Sequence, residues 1–470
     1  MAAIANPGRV AEHERALARL TEAYAGLPTD RPVRLAKATS NLFRPRTPTD
    51  SPGLDVSDFS GVIDLDAQRG RARVAGMTTY EDLIDALLPH GWMPLVVPQL
   101  KTITIGGAVS GLGIEASSFR SGLPHESVLE MEILTGSGEV VTARPDGEHA
   151  ELFGTFPNSY GSLGYALSLT IELERTHRYV VLRHVRFGSL AELVAAIEEV
   201  MSSRRWEEED VDFLDGVVFG GTEAWLCLGR WTDDLQGQAH PSDYTGQQIY
   251  YRSIQHRRRD VLTARDYLWR WDTDWFWCSR AFGAQQPRVR RLWPQRWLRS
   301  DVYWRIVAFE DRHGVLAAVD RVRRRPGRER VVQDVEIPLD RTAEFLHWFL
   351  REIPIEPLWL CPVQLRTNTS GPGGGAPWPL YPMQPGERYV NVGFWSAVPI
   401  EPGRRAGDAN RAIEAQVDRL GGHKGLYSES FYDEATFHAR YGGAAYDPVK
   451  ERYDPAGRFP TLYDKAVRAR

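Results

Sequence analysis

Five glycines, Gly106, Gly107, Gly111, Gly113 and Gly122, stand in the stretch 98–122, PQLKTITIGGAVSGLGIEASSFRSG, among the hydroxyls of Thr102, Thr104, Ser110, Ser117, Ser118 and Ser121. Together these residue types suit one kind of chemistry. Glycine lets a backbone approach a ligand closely, successive N–H groups form a concavity for anions, and hydroxyls donate to phosphate oxygens. The stretch is not a linker, because Ile103, Ile105, Val109, Leu112 and Ile114 set an apolar residue beside almost every glycine. A glycine-rich loop packed on a sheet satisfies the same spacing. A GxGxxG fingerprint fits less well: Gly111 and Gly113 supply its first step, but residue 116 is alanine, and no strand-then-long-helix pattern surrounds it. Metal and disulfide chemistry find no support, since Cys227, Cys278 and Cys361 are isolated and make no CxxC pair.

Regular elements must hold this stretch. Residues 58–66 (DFSGVIDLD) and 71–76 (RARVAG) read as strands. Residues 78–90 read as a helix capped by Thr78 or Thr79, with Leu83, Ile84, Leu87 and Leu88 on one face and Gly91 closing it. Residues 127–134 and 139–143 flank a tight turn, TGSG, and 166–173 alternates as a strand. An amphipathic helix over 10–27 precedes all of this. Beyond residue 178 the pattern turns to alternating strands and helices: strands over 179–187, 212–219, 225–229, 331–338, 358–362 and 389–394, helices over 190–201 and 406–420.

The chain has 470 residues, 42% hydrophobic and 25% charged, which allows two or three domains with a large core. A net charge of −5 without a basic block argues against a nucleic-acid partner. No run approaches the roughly 18 apolar residues of a membrane span, and the first residues lack a signal peptide's apolar run. With isolated cysteines, the cytoplasm is the expected compartment. Lysine occurs only at 37, 101, 424, 450 and 465, and alanine and glycine abound, as in GC-rich bacterial genomes. Residues 250–304 carry Trp269, Trp271, Trp275, Trp277, Trp293, Trp297 and Trp304 among many arginines. That block reads as mixed core and surface, as an aromatic wall of an apolar tunnel, or as a surface for a membrane interface. The basic run 321–330 reads as a solvated face or as a docking patch for a phosphate.

The order I-DLD, VAG-TTYEDL, LLP-GW-P-VVPQL-T-TIGG-VSG-GIE-SS resembles the flavin domain of the vanillyl-alcohol-oxidase/PCMH superfamily. Within it, GGAVSGLGIEASSFRSGLPHESVLEMEIL resembles the sterol Δ24-reductases, as do PNSYGSLG at 157–164, VVQD at 331–334, LWLCP at 358–362 and GGHKGLYSESFYDEATFHARYGG at 421–443. The resemblance runs from about residue 36 to the C-terminus. It implies an α+β fold: an N-terminal helix (1–30), a two-subdomain PCMH-type FAD-binding domain (31–178), a substrate domain with an antiparallel sheet (179–405) and a C-terminal segment returning to the flavin domain (406–470). It also implies FAD. Residues 32–46 stand where many members of the superfamily carry a histidine bonded to the flavin; here they are PVRLAKATSNLFRPR, without histidine, so non-covalent FAD is expected. The cofactor-binding residues implied are Thr39, Ser40, Asn41, Thr104, Gly106, Gly107, Ser110, Gly111, Gly113, Ile114, Glu115, Ser117, Ser118, Gly161 and Gly164.

The chemistry implied is reduction of an isolated C=C bond, with NADPH as the electron donor. Such an alkene lacks a carbonyl to stabilise negative charge, so a proton adds first to the less substituted carbon and hydride from flavin N5 follows at the tertiary carbon. A dry site with aromatic faces suits that cation. Tyr427, Tyr432, His423, Asp334 and Glu115 are candidates for the acid, and Gln333 for the same site. The expected substrate is a lipid met at the membrane surface, first a 10-methylene-octadecanoyl lipid reduced to the 10-methyl acid of the tuberculostearic type, as in a similar bacterial branch, and second a Δ24 sterol or polyprenyl chain. An alcohol oxidase stands behind both. A methyltransferase that makes the methylene lipid is a candidate partner, and a homo-oligomer is compatible with the sequence.

Overall fold

The computed structural model describes residues 7–37, 43–44, 53–313, 326–366 and 378–468. Its fold is α+β, built on two antiparallel sheets. In the six-stranded sheet the long strand Tyr165–Arg175 is central, flanked by Arg71–Ala75 and Val128–Leu134, with Val62–Asp66 and Val140–Ala143 outside them and Trp92–Pro94 on its far end. The helix Tyr80–Leu87 buries Leu83, Ile84 and Leu87, as the apolar spacing predicts. Thr79 caps it by accepting from the Asp82 N–H, and a 3-10 turn, Leu88–His90, closes on Gly91 at φ 74°. The N-terminal helix Pro7–Ala25 lies across this sheet with Ala16, Leu20 and Tyr24 buried.

The second sheet has eight strands. From one edge they run Arg259–Thr263, Tyr179–Phe187, Glu223–Thr232, Phe213–Gly220, Leu358–Gln364, Arg388–Pro399, Arg328–Pro338 and His423–Lys424. Helices Leu190–Ser203, Thr342–Glu352 and Asp408–Arg419 cover one face through a core that includes Leu193, Ile197, Val335, Phe345, Val392 and Ile413. The other face turns toward the first domain. Strand alternation sorts the VVQD run between them: Val331 and Val335 go under the helices with Gln333, while Asp334 turns to the interior cavity. The edge strand His423–Lys424 then leads two helices, Glu434–Arg440 and Gly443–Tyr453, back to the first domain, where Lys450 Nζ donates to the Ser162 carbonyl at 2.8 Å.

The aromatic block is mostly interior. Trp269, Trp271, Trp275 and Trp277 are buried, whereas Trp297 is exposed. The strand Arg259–Thr263 and the helix Ser300–His313 are not foreseen by sequence patterning, because frequent arginine and tryptophan blur both periods there. Residues 321–325 of the basic run lie outside the described residues. Among the described residues, no helix is long and apolar enough to cross a membrane and no cluster of His, Cys, Asp and Glu suits a metal ion.

Candidate active site

A cavity of about 1110 Å³ opens between the glycine stretch, the inner face of the second sheet and the C-terminal segment. Of the residues singled out from sequence, the structure brings Thr104, Gly106, Gly107, Ser110, Gly113, Ile114, Gly161, Gly164, Asp334 and Tyr427 to its wall. Thr104 caps the short helix Ile105–Ser110 by accepting from the Gly107 N–H at 3.2 Å, and Ser110 Oγ donates to the Gly106 carbonyl. At Gly106 the close approach is chain to chain: a Cβ there would sit 2.7 Å from the Gly76 carbonyl oxygen. Gly161 has φ 73°, and its Cβ would press within 2.9 Å of the Tyr165 ring, which lines the same wall.

Other expected residues are elsewhere. Thr39, Ser40 and Asn41 lie outside the described residues. Gly111, Glu115, Ser117 and Ser118 support the cavity wall from behind instead of lining it. Ser117 Oγ donates to the Leu95 carbonyl, and Ser118 Oγ accepts from the Glu115 N–H. The Glu115 carboxyl is buried 3.5 Å from Arg270 Nη1, and Arg270 also donates to Asp215 Oδ2 at 2.8 Å. This cluster joins the glycine stretch to the second sheet. Burial outweighs Arg270 and pushes the Glu115 carboxyl up to about 7.

Besides Glu115, three candidates for the acid site do not reach the cavity. Gln333 faces the helical layer, where its amide donates to Asn410 Oδ1, because it is one residue out of phase with Asp334. Tyr432 donates to Asp418 Oδ1 at 2.9 Å. His423 is buried with its ring 3.3 Å from Glu336 Oε2 in an unaligned contact. Burial, then Arg440, pushes that ring down to about 3, which favours the neutral imidazole, a poor proton donor.

What remains is a pair. The Tyr427 hydroxyl donates to Asp334 Oδ2 at 2.7 Å, Asn391 Nδ2 donates to Asp334 Oδ1 at 2.9 Å, and Trp395 Nε1 donates to the Tyr427 oxygen at 3.3 Å. Burial raises the Asp334 carboxyl to about 6 against the pull of these two hydrogen bonds, and burial together with Asp334 raises the Tyr427 phenol well above its ordinary value. The carboxyl therefore takes up and releases its proton just below neutral pH, within the range a working acid needs. Around it stand Phe43, Trp275, Phe276, Trp359 and Trp395. Phe276 stacks on Trp395 at 4.2 Å and on Trp271 at 5.1 Å between ring centroids. Trp275 and Phe276 both adopt positive φ, 45° and 60°. That costs about 1–3 kcal/mol each and persists only where surroundings fix it, a pattern that gathers at functional sites.

The cavity wall also carries the cations Arg34, Lys37, Lys465 and Arg468, with the Asp464 carboxylate paired to Arg468 at 3.1 Å. Lys465 Nζ also donates to the Tyr160 and Gly161 carbonyls, tying the C-terminus to the glycine wall. Gln99 is buried and lines the cavity with both amide atoms unpartnered, and the buried Tyr160 hydroxyl, on the same wall, is likewise unpartnered. A buried unpaired amide is costly. These features fit FAD: cations for the diphosphate, and a donor–acceptor pair on Gln99 for a ring edge of alternating carbonyl and N–H groups. Glycine spacing pointed to the wall, but the VVPQL and PNSYGSLG runs gave no role to Gln99 and Tyr160, and Asn391 and Trp395 lie in no quoted run; Gln99, Tyr160 and Trp395 line the cavity, and Asn391 reaches it through Asp334.

Fold and site together define an FAD-dependent oxidoreductase. Residues 2–144 match a family model described as an FAD binding domain. Over 440 residues the chain is 24% identical to the Delta(24)-sterol reductase of Arabidopsis thaliana, covering 89% of this chain and 77% of that protein. Over 431 residues it is 26% identical to the Delta(24)-sterol reductase of Homo sapiens, covering 87% and 76%. A shorter likeness, 29% over 181 residues, links 36% of the chain to 33% of cytokinin dehydrogenase 6 of Oryza sativa subsp. japonica.

Proposed function

We propose that this protein reduces an isolated C=C bond in a lipid, with FAD as its cofactor and NADPH as the source of electrons. The observation that carries this reading is the Asp334–Tyr427 pair, a proton store opening on an aromatic chamber within the cavity that fits the flavin. Protonation of Asp334 reverses its hydrogen bond with Tyr427, so that Asp334 donates to the Tyr427 oxygen while the Tyr427 proton passes to the less substituted alkene carbon. This relay leaves Asp334 as a carboxylate and Tyr427 neutral. When bound, reduced FAD supplies the hydride for the other carbon. The aromatic faces of Phe276, Trp275 and Trp395 exclude water and favour positive charge building up on the substrate.

The leading substrate is a 10-methylene-octadecanoyl chain, whose terminal alkene gives a tertiary centre on protonation and a methyl branch on reduction. A Δ24 sterol side chain is the second reading, favoured by the names of the two sterol reductases that the chain matches over 77% and 76% of their length. Incubation with FAD, NADPH and either lipid, followed by mass spectrometry, separates them. Gain of two hydrogens by the methylene lipid supports the first, and gain by the sterol alone replaces it with the second. Loss of hydrogen from an alcohol substrate with uptake of O2 would remove both.

A further inference from the structure

Among the described residues, all four large apolar side chains that stand exposed fall between 292 and 309: Leu292 at 85%, Trp297 at 48%, Ile306 at 36% and Phe309 at 59%. Soluble proteins seldom gather exposed apolar groups in this way without a partner. Leu292 and Trp297 are five apart, on the helix Pro287–Leu292 and the turn Gln295–Trp297, while Ile306 and Phe309 are three apart on Ser300–His313. Trp293 against Tyr303, 6.1 Å between ring centroids, holds the two segments together. Arginines fringe them. Arg288, Arg291 and Arg296 are exposed, and no carboxylate forms a salt bridge with them among the described residues. The nearby Asp301 is occupied by Arg299 and Arg305.

This patch adjoins the chamber. On Ser300–His313, Trp304 turns inward against Phe43 at 4.8 Å, and Phe43 packs on Trp275 at 5.7 Å; Phe43 and Trp275 both line the cavity. We propose that the exposed face of 288–309 docks on an anionic lipid bilayer, with Leu292, Trp297 and Phe309 in the interface and Arg288, Arg291 and Arg296 on headgroup phosphates. Aromatic and apolar side chains with flanking arginine suit that boundary, and the arginines match its negative charge. The inference rests on the lipid-reductase reading for its purpose but not for its test. Docking there would set the membrane one layer of side chains, Trp304 and Phe43, from the aromatic wall of the cavity.

Flotation with vesicles tests it, using full-length FAD-loaded protein. Wild type is expected to float with phosphatidylcholine–phosphatidylglycerol vesicles, more weakly with phosphatidylcholine alone, and to detach as salt screens the charge. Leu292→Ser/Trp297→Ser/Phe309→Ser should lower partitioning at least tenfold on both vesicles. Arg288→Gln/Arg291→Gln/Arg296→Gln should abolish the preference for anionic vesicles, roughly fivefold per arginine at low salt. Retained flavin colour and unchanged reduction of detergent-dispersed alkene show that both variants are folded. Wild type left unbound by anionic vesicles, or both variants floating like wild type, overturns the proposal. So does a dimer that the apolar variant breaks without any vesicle binding by wild type, since the patch is then an interface between copies. Vesicle binding without alkene reduction would instead remove the substrate reading and leave the surface.

Discussion

Replacing Asp334 with asparagine removes a proton and leaves the shape. The introduced amide oxygen still accepts from the Tyr427 hydroxyl, which in the wild type donates to the carboxyl at 2.7 Å. With the carboxyl at about 6, roughly one molecule in ten carries the proton at pH 7 and most carry it at pH 5. A positioned acid contributes about 10²–10⁴ in rate. The wild-type rate of alkene reduction, followed as reoxidation of pre-reduced flavin under anaerobic stopped flow, should therefore fall about tenfold per pH unit above 6. Asp334→Asn should run about 10²–10⁴ slower and lose that slope. Stability moves with the opposite benefit. The carboxyl is raised in the folded state, so its protonated form is favoured there, and stability is lost as pH rises from the ordinary carboxyl range through about 6. The loss is about 3 kcal/mol at pH 7. Asparagine escapes it, so the variant should melt higher than wild type at pH 7 and the gap should close at acid pH. A wild-type rate and pH profile in Asp334→Asn would refute the relay.

Tyr427→Phe should lose a similar factor in the chemical step while binding FAD as wild type does, read by flavin fluorescence titration. Gln99→Leu removes two unpartnered buried amide atoms, so the FAD-free protein should melt higher while FAD binds about 10–100-fold more weakly, since one or two hydrogen bonds of about 1–1.5 kcal/mol are lost. Arg270→Met strands Asp215 and Glu115 in the interior and should cost about 3–5 kcal/mol in denaturant unfolding. Gly161→Ala meets both a positive φ and the Tyr165 ring; a loss of about 1–3 kcal/mol is expected, with weaker FAD binding by the same titration.

The strand and helix periods of the first domain were readable because its elements are short, capped and cleanly patterned. Thr79 and Gly91 end their helix where the sequence says they should. The glycine stretch was legible as a cradle, although Gly106 serves contact between two backbones and Glu115 belongs to a buried ion cluster behind the wall. The acid site was legible only in part. Asp334 and Gln333 are neighbours in a strand, and a period of two sends them to opposite faces, which no motif match can tell until the sheet's buried face is known. Tyr432 and His423 lie close to Tyr427 in sequence but face Asp418 and Glu336. Gln99 stands in the quoted VVPQL run, but its role was not legible, because an unpaired amide is a fact about three-dimensional surroundings, not about sequence.

The most direct test of the central claim is anaerobic and uses wild type alone. NADPH should bleach the flavin's visible absorbance, and a methylene-acyl lipid or a Δ24 sterol added without oxygen should restore it in step with formation of the saturated product. Flavin that NADPH cannot reduce, or that only O2 and neither alkene can reoxidise, would contradict the account.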